Sequence, residues 1–187
     1  MRRLPALAIC LALVACTSNK PKPIDGVQTF SGLSHKHVPT EVQYPQTPPV
    51  GGEHNDRWLR CGVYDEAVPS INAVHSMEHG AVWITYLPSL SGADLDAVKK
   101  LQLVKPAYTL ISPFPGLPKP VVASAWGLQL QADSASDPRL TAFVKKYAGG
   151  DQGGEPGTRC DNGLTLDQAR ISDAAEAAAA ASTTPTP

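Results

Sequence analysis

The sequence has no basic run or stripe. Its 16 Lys and Arg stand against 17 Asp and Glu, for a formal net charge of −1. That balance excludes nucleic acid as a partner, since nucleic-acid binders present a positive face. Histidine is absent after His79, so any imidazole chemistry belongs to the first half of the chain. No G-x-S-x-G is present, which removes the serine-hydrolase elbow. No C-x-x-C pair is present either, which argues against a thiolate metal cage. The apolar run at the N-terminus, Leu4 through Ala15, is too short to span a bilayer.

That run has a different reading. Arg2 and Arg3 precede it, and it ends in Leu13-Val14-Ala15-Cys16, a lipobox whose small residues admit a peptidase just before a cysteine. Polar Thr17, Ser18, Asn19 and Lys20 follow at once. Residues 1–15 are therefore expected to be a lipoprotein signal peptide, with Cys16 as the lipidated first residue of the mature chain. One acyl chain binds a membrane weakly, so several, palmitate among them, are expected at Cys16. Thr17 after the cysteine, where Asp is absent, points to the outer membrane if the organism has one. Residues 16–28, with Pro and Lys and no periodicity, fit a lipid-anchored tether.

Of the four cysteines, Cys10 lies in the signal and Cys16 takes the lipid, which leaves Cys61 and Cys160 in an oxidising compartment. A disulfide between them is the favoured reading; two soft metal ligands are the alternative. Closing so long a loop would add roughly 4 to 5 kcal/mol in a chain-entropy treatment.

Residues 29–165 have the length of one domain with a real core. Their 81–86, 108–112 and 121–130 stretches (AVWITY, YTLIS, VVASAWGLQL) are rich in β-branched and aromatic residues and predict strands. A helix is expected after Ser91, capped with Asp94 and facing inward through Leu95, Val98 and Leu101. A second follows Asp137 as cap and Pro138 in the first turn, with Leu140, Phe143, Val144 and Tyr147 as its apolar stripe and Gly149 as its stop. The order implies an α+β fold: a small, mainly antiparallel sheet with helices on one face. Residues 166–187 read as an Ala-rich frayed helix and then a disordered Thr/Pro tail.

All five histidines fall between residues 35 and 79, as His35 and His37, His54, and His75 and His79. A single histidine is more often a surface or satisfied core residue than a ligand; the grouping is what points to a metal. In an extended segment, residues two apart share a side, so His35 and His37 would face one ion. Read as leading straight into the strand at 81–86, HSMEHG would likewise align His75, Met77 and His79. Imidazole with thioether suits copper, although core packing is the commoner fate of methionine. Zinc is the alternative metal. Glu53, Glu78 and Asp56 lie nearby as ligands or as partners that fix an imidazole tautomer. His75, Glu78 and His79 also match H-x-x-E-H, the inverted zinc-peptidase pattern, but that chemistry needs a helix, and the residues that follow argue for a strand.

These blocks resemble a bacterial family known as domain of unknown function 3105. The resemblance runs through the HV of SHKHV, PP-x-GG-x-H (48–54), W-x-x-CGVYDE (58–66), VHSMEHGAVWITY (74–86), SPFPGLP (112–118), ASAWG (123–127) and EPG-x-x-C (155–160). Its members usually have Leu where Met77 stands. The resemblance implies a shared fold and site and no particular activity.

Three functions are expected in turn. The first is an envelope lipoprotein with a His-rich, copper-binding site that serves metal handling or redox protection. The second is a copper-dependent enzyme of superoxide dismutase type, since H-K-H is similar to the H-x-H ligand pair of copper/zinc superoxide dismutases. The third is a lipid-tethered structural subunit of an envelope protein complex.

Overall fold

The computed structural model describes residues 23–155 and 157–182. The expected signal peptide, Cys16 with its expected lipid, the start of the expected tether and the Thr/Pro tail lie outside them. In chain order the elements are β1 (Gln28–Thr29), β2 (Gly62–Val63), α1 (Ser70–Glu78), β3 (Val82–Tyr86), α2 (Gly92–Lys100), β4 (Thr109–Pro113), β5 (Val121–Ala125), β6 (Leu128–Ala132), α3 (Pro138–Tyr147) and α4 (Leu166–Ser182).

The strands make one six-stranded sheet in the order β1-β6-β5-β3-β4-β2. β1, β6, β5 and β3 pair antiparallel, whereas β3 with β4 and β4 with β2 are parallel. The class is α+β, and the sheet is mainly antiparallel, with three of its five pairings antiparallel, though mixed rather than purely so. The reason is the connection: α2 and two short 3₁₀ turns carry the chain back to the end at which β3 began, which a parallel neighbour requires.

Helices cover both faces. Alternation along β3 sends Val82, Ile84 and Tyr86 into a cluster with Val98 of α2 and Phe143 of α3. Trp83 points the other way, to Met77 of α1, Leu59, Trp126 and Ala169 of α4. Two covered faces explain why β3, β4 and β5 are buried at every position.

The 121–130 stretch folds as a hairpin, with Ala125 paired to Leu128 across Trp126-Gly127. Gly127 adopts φ +69°, and a Cβ there would meet the Phe30 carbonyl at 2.8 Å. In α3 the Asp137 carboxylate accepts from the Arg139 backbone N–H at 2.9 Å, as its cap position predicts. Ser91, by contrast, caps α2 without a side-chain hydrogen bond.

The largest departure is at residues 70–78. They form the buried helix α1, entered after Pro69 and stopped by Gly80 at φ +90°, where a Cβ would lie 2.6 Å from the Gly150 carbonyl. The strand begins only at Val82, so the helical and extended periods meet within three residues.

Cys61 and Cys160 form a disulfide across 99 residues. The adjacent Cys61 N–H also donates to the Cys160 carbonyl at 2.8 Å. The crosslink fixes the segment from which α4 starts. α4 then runs through Ser182 with only Ala169 buried, and is held by Arg170 on Glu66 at 3.0 Å and by the Asn55 side chain on Glu176 at 2.7 Å. Among the described residues no helix is long and apolar enough to cross a membrane.

Candidate metal centre

Three pieces of backbone converge on α1. The segment at His37 bridges the one at His54: Val38 N–H donates to the His54 carbonyl at 2.7 Å and His54 N–H to the Lys36 carbonyl at 3.1 Å. Before His54 the chain turns through Gly51 and Gly52 at φ +137° and +120°. A Cβ on Gly51 would meet Leu33 at 2.8 Å and the Trp126 ring at 3.1 Å, so only glycine lets this loop lie against the Trp126 hairpin. In α1, positions three and four apart share a face, which aligns His75, Glu78 and His79. Met77 falls on the opposite side and is fully buried in the core. It belongs with Leu59 and Trp83, and the proposed alignment of Met77 with the histidines is corrected by the helical period.

The ligand atoms of His37, His54, His75 and Glu78 all lie within 4.8 Å of one another. His54, His75 and Glu78 are buried, while the His37 side chain is about half exposed. A second group on the same criterion is His75, His79 and Glu155, and the two groups share only His75.

The hydrogen bonds define the protonation pattern. His54 Nδ1 is 2.7 Å from the Gly52 carbonyl, and His75 Nδ1 is 2.7 Å from the Asn55 carbonyl. A carbonyl only accepts, so both Nδ1 atoms bear a proton and both Nε2 atoms face inward. This is how metal-bound imidazoles are oriented by their surroundings. Burial, then the neighbouring His54, pushes His75 down to about 3, which keeps it neutral at ordinary pH. His79 is lowered as well, chiefly by burial.

The consequence is a conflict of acceptors. His54 Nε2 lies 2.8 Å from Glu78 Oε2, and a neutral imidazole lone pair facing a carboxylate oxygen needs a cation between them, either a proton or a metal ion. His75 Nε2 lies 2.8 Å from His79 Nε2, where the Nε2–H tautomer of His79 donates to it when no ion is bound. Three imidazoles and a carboxylate form a four-ligand set; bonds of about 2.0–2.1 Å would bring the ligand atoms to about 3.3 Å apart, and side-chain rotations cover the difference.

The other sequence candidates divide. His35 Nδ1 reaches Glu78 Oε1 at 2.5 Å and its ring stacks on Trp126 with centroids 4.6 Å apart. It therefore orients the carboxylate and is not in the ligand group with His37, although the two are neighbours in sequence. Glu78 is a member of the ligand group as well as a hydrogen-bond partner. Glu53 turns outward toward Lys36 at 3.9 Å. Asp56 lines a cleft of about 210 Å³ with His37, Val38, Pro39 and Glu176. The helix that H-x-x-E-H requires is present, contrary to the strand argued from sequence; however, both Glu78 oxygens are engaged by His35 and His54, which leaves no free base for a peptidase water.

Sequence reasoning did not anticipate four contributors. Trp126 flanks His35 and His54, and Trp58 lies 5.5 Å from His75 and 4.8 Å from His79, ring to ring. Glu155 reaches His79 at 3.6 Å. α4 contributes Glu176 and Asp173, which hold the Asn55 side chain behind His75. Both tryptophans stand in the W-x-x-C and AWG blocks and Glu155 in EPG-x-x-C, so motif position was the available signal.

The model of the family described as "Protein of unknown function (DUF3105)" matches residues 35–162. The chain belongs to this family. No curated protein and no solved structure matches it. The DUF3105 stretch begins at His35 and takes in every histidine, both disulfide cysteines, Trp58, Trp126 and Glu155, while α4 lies beyond it.

Asp173 offers a test of how α4 is attached. Burial pushes its carboxyl up to about 6. A raised carboxyl binds its proton more tightly when folded, so its stabilising effect is complete below about pH 4 and is lost as the pH rises through 6. Asp173→Asn, uncharged at all pH, is expected to stabilise the protein above pH 6, by about 1 kcal/mol once solvent screening is allowed for. Thermal melts at pH 7.5 and pH 4 should show a gap at the first and almost none at the second.

Proposed function

We propose that this chain is a lipid-anchored protein of the cell envelope that binds one divalent metal ion, copper ahead of zinc, for metal handling or redox protection. The observation behind the reading is the pair of inward Nε2 atoms, His54 facing the Glu78 carboxylate and His75 facing His79, each with its Nδ1 proton committed to a backbone carbonyl. A nitrogen-rich set with one carboxylate suits divalent copper or zinc, and copper stands higher in the divalent affinity order. With Met77 in the core, the set lacks the thioether that would favour the cuprous state. The lipobox ending at Cys16 supports the envelope location and the membrane attachment.

The test is metal analysis of the full-length chain, detergent-extracted from cells grown with both metals and dialysed against a weak chelator. One equivalent of copper per chain is expected. Protein that emerges with neither metal, and takes up neither on reconstitution, would contradict the reading.

A redox role has one observation in its favour. The half-exposed His37 edge opens on the cleft beside Asp56 and Glu176, so a bound copper could meet a small oxidant there. The copper-loaded protein would then dismute superoxide faster than copper on a His-rich peptide; an equal rate leaves metal handling as the role.

A further inference from the structure

The group His75, His79 and Glu155 is distinct from the inner set and shares one atom with it. His75 Nδ1 is committed to the Asn55 carbonyl, so Nε2 is its only lone pair. That atom cannot bind two ions, which makes the two positions alternatives for a single ion. We propose that His79 and Glu155 form an outer, transient metal position from which the ion passes to the inner set by way of His75. This rests on the reading of the inner set as a metal site and adds its route of loading.

The outer group is arranged for that role. Glu155 is 56 % exposed, whereas the His79 side chain is 7 % exposed and His54 is fully buried, so the ligands run from a surface carboxylate to buried imidazoles. His79 Nε2 lies 2.8 Å from His75 Nε2 and 3.6 Å from the Glu155 carboxylate, so one edge of its ring faces both other members of the group. Close backbone packing holds Glu155 there: a Cβ on Gly153 would meet the Glu78 carbonyl at 2.0 Å. In the transfer, His75 Nε2 keeps its bond to the ion. His79 and the Glu155 carboxylate release it, and His37, His54 and Glu78 take their place, with no change of charge or oxidation state.

The tryptophans make the order of events readable. Trp58 lies against His75 and His79, and Trp126 against His35 and His54. Stopped-flow mixing of the apo full-length chain with Cu²⁺ is expected to quench fluorescence in two phases, of which Trp58→Phe removes the faster. Glu155→Gln and His79→Ala should slow the second phase by about tenfold, as loss of a charged capture site slows association. Both should leave one equivalent bound, at an equilibrium affinity within about threefold of wild type. Loading of both variants at the wild-type rate would overturn the proposal, with uptake then running through His37. Binding of two equivalents by wild type would overturn it also, as would a loss of equilibrium affinity as large as that of His54→Ala. Wild-type protein that binds no Cu²⁺ at all would defeat the underlying metal reading instead.

Discussion

His75→Ala is expected to lower metal affinity by at least about 100-fold, more than the loss of an orienting partner costs a metal site. The expectation follows from its place: His75 is the one residue common to both ligand groups, with its Nδ1 proton fixed by Asn55 and its imidazole kept neutral by burial. Its removal therefore takes a ligand from each position at once, and both fluorescence phases should vanish together, unlike the selective slowing expected from His79→Ala. The substitution also leaves the Asn55 carbonyl without its donor, a loss of about 1–3 kcal/mol. A thermal melt of the apo variant separates the two effects, because a folded variant with unchanged affinity would show that His75 is not a ligand. Isothermal titration with Cu²⁺ and with Zn²⁺ checks the affinity.

Opening the disulfide is expected to have the largest effect on stability. Cys61 and Cys160 close a 99-residue separation, and the chain-entropy treatment assigns about 4 to 5 kcal/mol to a loop of that size. For a domain of this length that corresponds to a fall in Tm of about 10–15 °C. Cys61→Ser with Cys160→Ser, compared with wild type in the absence of reductant, gives the number. The loss should reach the site as well, because Cys160 fixes the base of α4. Asp173 and Glu176 of α4 hold Asn55, and Asn55 in turn orients His75. A double variant with an unchanged Tm would mean that this staple contributes little.

Much of the fold was legible because local signals agreed with tertiary ones. The β-branched run at 81–86 is strand β3 but for one residue, and Asp137-Pro138 opens α3 where capping chemistry says it should. The histidine grouping identified the region of the site, and His37, His54, His75 and His79 do converge. The error at HSMEHG has a physical cause. Gly80 ends a helix and the β-branched residues beyond it begin a strand, so the extended period was carried back across a glycine that reverses the backbone. Pro69 before Ser70 and the spacing of Ile71, Val74 and Met77 were the helical signals available. The same error decided the fate of Met77, because residues two apart share a side in a strand and oppose each other in a helix.

Glu155 and α4 were beyond a local reading. Glu155 comes to His79 through the glycine-rich loop after α3, and α4 meets Asn55 through polar contacts spanning 118 and 121 residues. α4 shows no apolar stripe and buries only Ala169, so hydrophobic periodicity had nothing to register. What attaches it is a few charged and amide side chains, whose partners sequence spacing does not reveal.

X-ray absorption at the metal edge of the loaded full-length protein tests the central claim most directly. Three imidazoles with outer-ring scattering and one oxygen, at about 2.0–2.1 Å, are the predicted result. A sulfur shell, or a spectrum of water oxygens without imidazole, would contradict it.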